Sequence, residues 1–401
     1  MRLTRRALAT VAGGAALAVS SLTLTACSAH RNAAFPPEAR TWTSQDNGPP
    51  PAVDPQQPGP APTGPPTSGP SRPGGRPTDP NIVADHLDVP WGLAITPDGN
   101  AIVGERPTGR LLAVTAKRGP VTTLMRVPGV DPAGDGGLLG ITVAPSYDED
   151  GLIYAYLTTK TDNRVVRFSI GSSVKPILTG IPKGATDNGG RIGFGPDGYL
   201  YVGTGDAGRP ALAAEPASLA GKILRITVFG TPAPGNPTSS SPVWASGFQN
   251  VLGLCWSKNH DLLATDAGST ADEVDVVHRG LDYGWPKSQG RVGAAPDLPV
   301  IAFRSGQASP GGCAIEGYGL FVGELNGRRL DGVQMSTGGH LAATAKPTLT
   351  NAYGRLRTVV AAPDGALWIT TSNRDGHGRP KADDDKVLRI LPPSGSTTPP
   401  V

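Results

Sequence analysis

The stretch "GPDGYLYVGTGD" at 195 to 206 sets a turn built on Asp197-Gly198 against a short alternating strand. The same unit returns as "TPDGNAIVGE" (96 to 105), "SYDEDGLIYAYL" (146 to 157), "NHDLLATDAG" (259 to 268), "EGYGLFVGEL" (316 to 325) and "APDGALWITTSN" (362 to 373). Successive units begin roughly 45 to 65 residues apart, the spacing expected when each opens a four-stranded propeller blade with variable loops. Other β-rich stretches, such as Arg164 to Ile170 and Lys222 to Val228, lie between them, with few helix caps or 3.6-residue periods. The pattern predicts an all-β chain folded as a six-bladed β-propeller over residues 81 to 391. A pair of β-sandwiches would not require one turn-strand unit six times.

Composition agrees with this reading. Gly and Pro number 55 and 42 in 401 residues and charged residues make up only 17%, which excludes a long-helix or coiled-coil protein. The net charge is +3, and residues 1–26 carry Arg2, Arg5 and Arg6 with no acid, so removing them leaves 3 − 3 = 0. A neutral remainder argues against nucleic acid as a partner, because phosphate binding requires clustered cations.

The start of the chain reads as an address. Arg2, Arg5 and Arg6 precede an apolar run from Ala7 to Leu24, and Leu24-Thr25-Ala26-Cys27 follows. That ending resembles the lipobox cut by bacterial lipoprotein signal peptidase, which implies a signal peptide at 1–26 and lipidation of Cys27. More than one acyl chain on Cys27 is what stable anchoring requires. The expected location is therefore the extracytoplasmic face of the cell membrane. The Arg5-Arg6 pair leaves Sec and twin-arginine export both open.

Residues 27–80 read as a Pro-rich disordered tether. Residues 28 to 80 hold 15 of the 42 prolines, with almost no periodic apolar positions, so the segment lacks the surface to build a core. Extended at about 3.1 Å per residue, it reaches on the order of 100 Å. A shorter Ser/Thr/Pro tail occupies 392–401.

A propeller leaves an axial tunnel whose mouth collects loops, and function is expected there. "DVPWGLAITPDGNAIVGER", "GDGGLLGITVAPSYDEDGLIYAYL", "NGGRIGFGPDGYLYVGTGD", "SLAGKILRI", "GFQNVLGLCW", "DEVDVVHRGLDYGWP" and "RLRTVVAAPDGALWITT" occur in this order between about residues 85 and 391. In that order they resemble the soluble quinoprotein glucose and aldose sugar dehydrogenases, the glucose/sorbosone dehydrogenase family. The resemblance implies a sugar ligand, with pyrroloquinoline quinone and calcium as cofactors.

Position by position, the resemblance is uneven. The family's catalytic His, four residues before the Arg of the segment matching Gly189-Gly190-Arg191, corresponds to Asp187. A carboxylate near pKa 4 is a weaker base than imidazole unless burial raises it. Asp187 also fits a turn cap before Gly189. The family's "RNPQG" reads Gln249-Asn250-Val251-Leu252-Gly253 here, so an Arg is now Gln and a calcium-side Gln is now Leu252. Asn326 aligns with a Lys offered to the cofactor. The resemblance thus implies ligand or cofactor contacts at Arg191, Gln249, Asn250, Asn326, Arg355 and Arg357.

Arg355 and Arg357, two apart on a strand, project to one side and suit a carboxylate-bearing ligand. A solvated outer pair and a blade-closing network remain alternative readings. Asp206 and Asp272-Glu273 read equally as site residues or turn chemistry, and Trp285-Pro286 as packing. Cys255 and Cys313, each following a segment that matches a tunnel-facing strand of neighbouring blades, would form a disulfide after export. Scattered His residues do not make a zinc site.

Two functional classes follow. In one, the chain is a membrane-anchored binding propeller for a sugar or anionic ligand, with quinone chemistry weakened or lost. In the other, it is an active quinone-dependent aldose dehydrogenase. A calcium-dependent lactonase on a similar propeller lacks the acidic and amide constellation it would need.

Overall fold

A computed structural model of the protein describes residues 79–290, 299–335 and 345–391. The expected signal peptide at 1–26, Cys27, the expected tether up to residue 78 and the expected tail at 392–401 lie outside the described residues.

The described chain forms six four-stranded antiparallel sheets, the blades of a β-propeller. Blade 1 takes Pro90–Ile95, Ala101–Glu105, Arg110–Val114 and Thr122–Arg126, and blade 2 takes Leu138–Val143, Ile153–Thr158, Asn163–Phe168 and Lys175–Ile181. Blade 3 is Gly189–Phe194, Leu200–Thr204, Lys222–Ile226 and Val243–Ser246, and blade 4 is Val251–Trp256, Leu262–Asp266, Ala271–Val277 and Ile301–Arg304. Blade 5 is Pro310–Glu316, Gly319–Glu324, Arg329–Gln334 and Lys346–Thr348. Blade 6 takes Leu356–Ala361, Leu367–Thr371 and Val387–Ile390, and is completed by Ile82–Ala84 from the start of the domain, with Ile82 opposite Leu388. This exchange closes the ring and removes a free sheet edge.

The repeated turn joins the innermost and second strands in every blade. In three of them the reason is local. Gly99, Gly198 and Gly365 adopt φ of 79°, 77° and 80°, and Asp98, Asp197 and Asp364 each accept the amide two residues on at 3.1 to 3.2 Å. Such a turn needs a Gly at the left-handed position and an acid that caps it.

The core lies between blades rather than at the centre. Tyr201, Ile223, Val251, Leu254 and Ala264 interlock blades 3 and 4, and Ala314, Phe321, Val359 and Ile369 interlock blades 5 and 6. Each blade therefore buries both faces, which explains why second strands such as Leu200–Thr204 are buried along their whole length. Around the axis the innermost strands pass very closely. A Cβ at Gly140 would fall 2.2 Å from the carbonyl oxygen of Gly190, and one at Gly311 equally close to that of Arg357.

The pairing register shifts near the start of all six innermost strands, between Pro90 and Gly92, Leu138 and Ile141, Gly189 and Ile192, Val251 and Gly253, Pro310 and Cys313, and Leu356 and Val359. A bulge bends the strand and re-aims its side chains. Trp91, Arg191, Leu252 and Arg357 are carried at four of these six places. The disulfide between Cys255 and Cys313, with Cα atoms 5.8 Å apart, ties the innermost strands of blades 4 and 5.

Candidate functional site

A cavity of about 390 Å³ opens where the innermost strands enter the sheets. Loops ahead of these strands supply Asp135, Asp187, Gln249, Asn250, Ser309 and Arg355, while Trp91 and Leu252 line it from the bulges. Arg106, Asp272, Asn326, Asp375 and His377 complete the charged and polar wall.

Three arginines, Arg106, Arg355 and Arg357, line the cavity. Arg355 Nε and Arg357 Nη2 both donate to Asp375 Oδ2 at 3.1 Å. Arg355 Nη1 reaches Asn326 Oδ1 at 2.7 Å, and Arg357 Nε reaches Ser372 Oγ at 2.8 Å. Both side chains are nearly buried, at 8% and 11% exposure, so the pair is not a solvated outer strand. Burial opposes ionisation of Asp375, but Arg357 and Arg355 outweigh it and hold the carboxyl below its usual range. Burial draws Arg357 down to about 10. Each guanidinium has five N–H donors and keeps some of them beyond these bonds. Arg106 Nη1 is held by the carbonyls of Gly134 and Gly136 at 2.8 and 3.0 Å.

Asp187 also lines the cavity. Its φ of 53° places it in the left-handed region, and Thr186 Oγ1 donates to Oδ2 at 3.0 Å. The turn-cap reading fails here, because the Gly189 amide is satisfied at 2.9 Å by Asn250 Oδ1 instead. Burial, assisted by the charges of Asp206 and Asp135, raises the Asp187 carboxyl to about 6. A group poised there exchanges protons near neutral pH.

Gln249 and Asn250 stand on the wall because Asp266, buried beneath them, accepts both their amides. Burial raises Asp266 to about 7. Gln249 Oε1 in turn accepts the Ser269 amide at 2.7 Å. Asp272 faces the cavity, but its oxygens accept the amides of Gly268, Ala308 and Ser309. Asp206 accepts Trp285 Nε1 at 2.9 Å, so Trp285 both packs and anchors a loop. Glu273 accepts the Gly290 amide.

Arg191 is a correction to the sequence reading as far as this cavity goes. It does not line the wall. Its guanidinium lies under Trp91, 4.6 Å from the ring centre. Asp375, Arg106 and Trp91 were not legible as site residues beforehand. Asp375 lies 18 residues after Arg357 in a loop of ordinary turn composition, "SNRDGHG", and only the fold returns that loop to the arginines. Trp91 lies within the first matched segment, but nothing in the residues around it marks it for the site.

The acidic side chains do not by themselves make a calcium site, which would have to draw on backbone carbonyls such as that of Gly268. Among the described residues no group of three or more His, Cys, Asp or Glu is placed to hold a metal ion. Leu252 presents only an aliphatic chain, and Asp272 is engaged by backbone amides. A hard divalent ion needs several free oxygens. An anionic ligand fits better, through the remaining donors of Arg106, Arg355 and Arg357.

The profile of the family described as Glucose / Sorbosone dehydrogenase matches residues 87–379. The chain is 26% identical over 337 residues to the aldose sugar dehydrogenase YliI of Escherichia coli, covering 74% of this chain and 90% of that protein. It is 29% identical over 253 residues to quinoprotein glucose dehydrogenase B of Acinetobacter calcoaceticus, with 53% of each covered. Among solved structures, the PQQ-bound form of aldose sugar dehydrogenase from Streptomyces coelicolor is similar at 42% identity and a TM-score of 0.74, covering 77% of this chain and 96% of that one.

Proposed function

The chain belongs to the glucose/sorbosone dehydrogenase family, and from that premise we propose that its axial cavity binds a sugar or an anionic sugar derivative, with quinone chemistry weakened or lost. The observation that carries the proposal is that one cavity is lined both by Arg106, Arg355 and Arg357 and by Asp135, Asp187, Gln249 and Asn250. Guanidinium forks take a carboxylate. Carboxylates and amides such as Asn250 and Gln249 take hydroxyl groups. A sugar acid offers both kinds of partner in one molecule.

A polycarboxylate quinone would be held by the same arginines with Asn326, and when bound it supplies a hydride acceptor. The loss of a calcium-side oxygen at Leu252 and a carboxylate in place of imidazole argue that such chemistry is weakened. One observation favours the second reading, an active aldose dehydrogenase: Asp187, raised to about 6, is able to accept a proton from a sugar hydroxyl.

Calorimetric titration of the purified chain with gluconate, glucose and pyrroloquinoline quinone, with and without calcium, tests both. Asp187 is neutral below about 6 and ionised above it, and its charge repels an anion. Gluconate affinity should therefore fall about tenfold from pH 5 to pH 7.5, the scale of one repulsion across a partly screened cavity. Asp187→Asn should flatten that profile. Calcium-dependent quinone uptake with aldose-driven dye reduction would establish the enzyme instead. No binding of gluconate or glucose would sink the binding proposal.

We also propose that Cys27 carries the lipid anchor and places the propeller on the extracytoplasmic face of the membrane. No helix among the described residues is long and apolar enough to cross a bilayer; the proposal rests on the Leu24-Thr25-Ala26-Cys27 ending of the apolar run. Radiolabelled palmitate should mark the wild-type chain and leave Cys27→Ser unlabelled. Label retained by that variant would refute the anchor.

A further inference from the structure

The innermost strands also surround a second cavity, of about 480 Å³, toward their C-terminal ends. Ile95, Val143, Phe194, Trp256, Ile315 and Ala361, one from each blade, line it. Its wall is aliphatic and aromatic, with the Cys255–Cys313 disulfide on one side. Among the described residues lining it, Arg191 is the one charged group.

Arg191 is 6% exposed. Nε donates to the Leu252 carbonyl at 2.9 Å and Nη2 to Thr358 Oγ1 at 2.8 Å. Both partners are neutral. No ion pair within the described residues involves Arg191, and Nη1 makes no hydrogen bond there. The nearest charge acting on it is the like charge of Arg357, and burial together with Arg357 draws Arg191 down to about 9. A buried cation without a counter-charge is costly to keep. Trp91 lines the first cavity and stacks on Arg191 at 4.6 Å, while Arg191 lines the second.

We propose that this second cavity binds an amphiphilic carboxylate, its head on Arg191 Nη1 and its aliphatic tail along the six strand ends. The head supplies the missing counter-charge through a charge-assisted hydrogen bond. The tail is required by the wall, because a lone inorganic ion would leave most of the apolar cavity without contacts.

The test is calorimetry on the purified chain with octanoate, octanol and sodium chloride. Octanoate should bind at least about tenfold tighter than octanol, and chloride should bind weakly or not at all. Ala361→Trp, at the half-buried rim of the wall, should weaken octanoate about tenfold while leaving gluconate affinity at the first cavity unchanged. Arg191→Gln should remove the preference for octanoate over octanol; if it does not fold, Ala361→Trp still decides. Failure of octanoate to bind at up to about 10 mM, equal affinity for octanol, chloride binding without octanoate, or octanoate affinity untouched by Ala361→Trp would each overturn the proposal.

Discussion

Replacing Arg355 and Arg357 together with alanine is expected to destabilise the propeller by roughly 3 to 5 kcal/mol, the cost of stripping the partners from a buried carboxylate. The carboxylate is Asp375, only 3% exposed and bound by both guanidinium groups at 3.1 Å. Were the arginines solvated, as one reading of their spacing allows, the change would stay within about 0.5 kcal/mol. Adding Asp375→Asn to the double variant should recover part of the loss, since a neutral amide is cheaper to bury than an unpaired charge. Thermal and denaturant melts of the double and triple variants check this, and a double variant as stable as the parent would refute the network. Gluconate binding should vanish in both variants, because restoring stability does not restore the donors. Stability and ligand binding thus separate within one series.

The second large effect concerns Cys255 and Cys313. They close a sequence separation of 58 residues, for which the chain-entropy relation gives about 4 kcal/mol of stabilisation through the unfolded state. Joint replacement by serine should lower the denaturant midpoint correspondingly and raise the slope, because the unfolded chain without the cross-link exposes more surface. Reducing agent should reproduce the loss in the parent and have no effect on the variant. A difference under about 1 kcal/mol would show that the innermost strands of blades 4 and 5 hold their places without the bridge.

The fold was legible because its signal is local and repeated. An Asp-Gly turn dictates its own backbone shape, and six copies at blade spacing leave few architectures that use them all. The two cysteines were legible because matched segments placed both on neighbouring tunnel strands. Individual site residues were legible only where motif and position coincide, as at Asp187, Gln249 and Asn250, all of which line the cavity. Arg191 shows the limit. Its motif marks it for the site, yet a bulge within Gly189–Ile192 carries it beneath Trp91 and toward the other end of the axis.

By itself, then, the sequence determined the blade count, the turn chemistry, the order of the strands and the substitution of Asp187 and Leu252 into a quinoprotein pattern, because each is written in neighbouring residues. Only the tertiary structure decided which charges meet. Asp375 pairs with Arg355 and Arg357 across 18 to 20 residues of chain, Asp187 gains its raised pKa from burial near Asp206 and Asp135, and Arg191 is left without an acid among the described residues. Burial and charge pairing depend on distance in space and on exclusion of water, and those are fixed only when the six blades close around the axis.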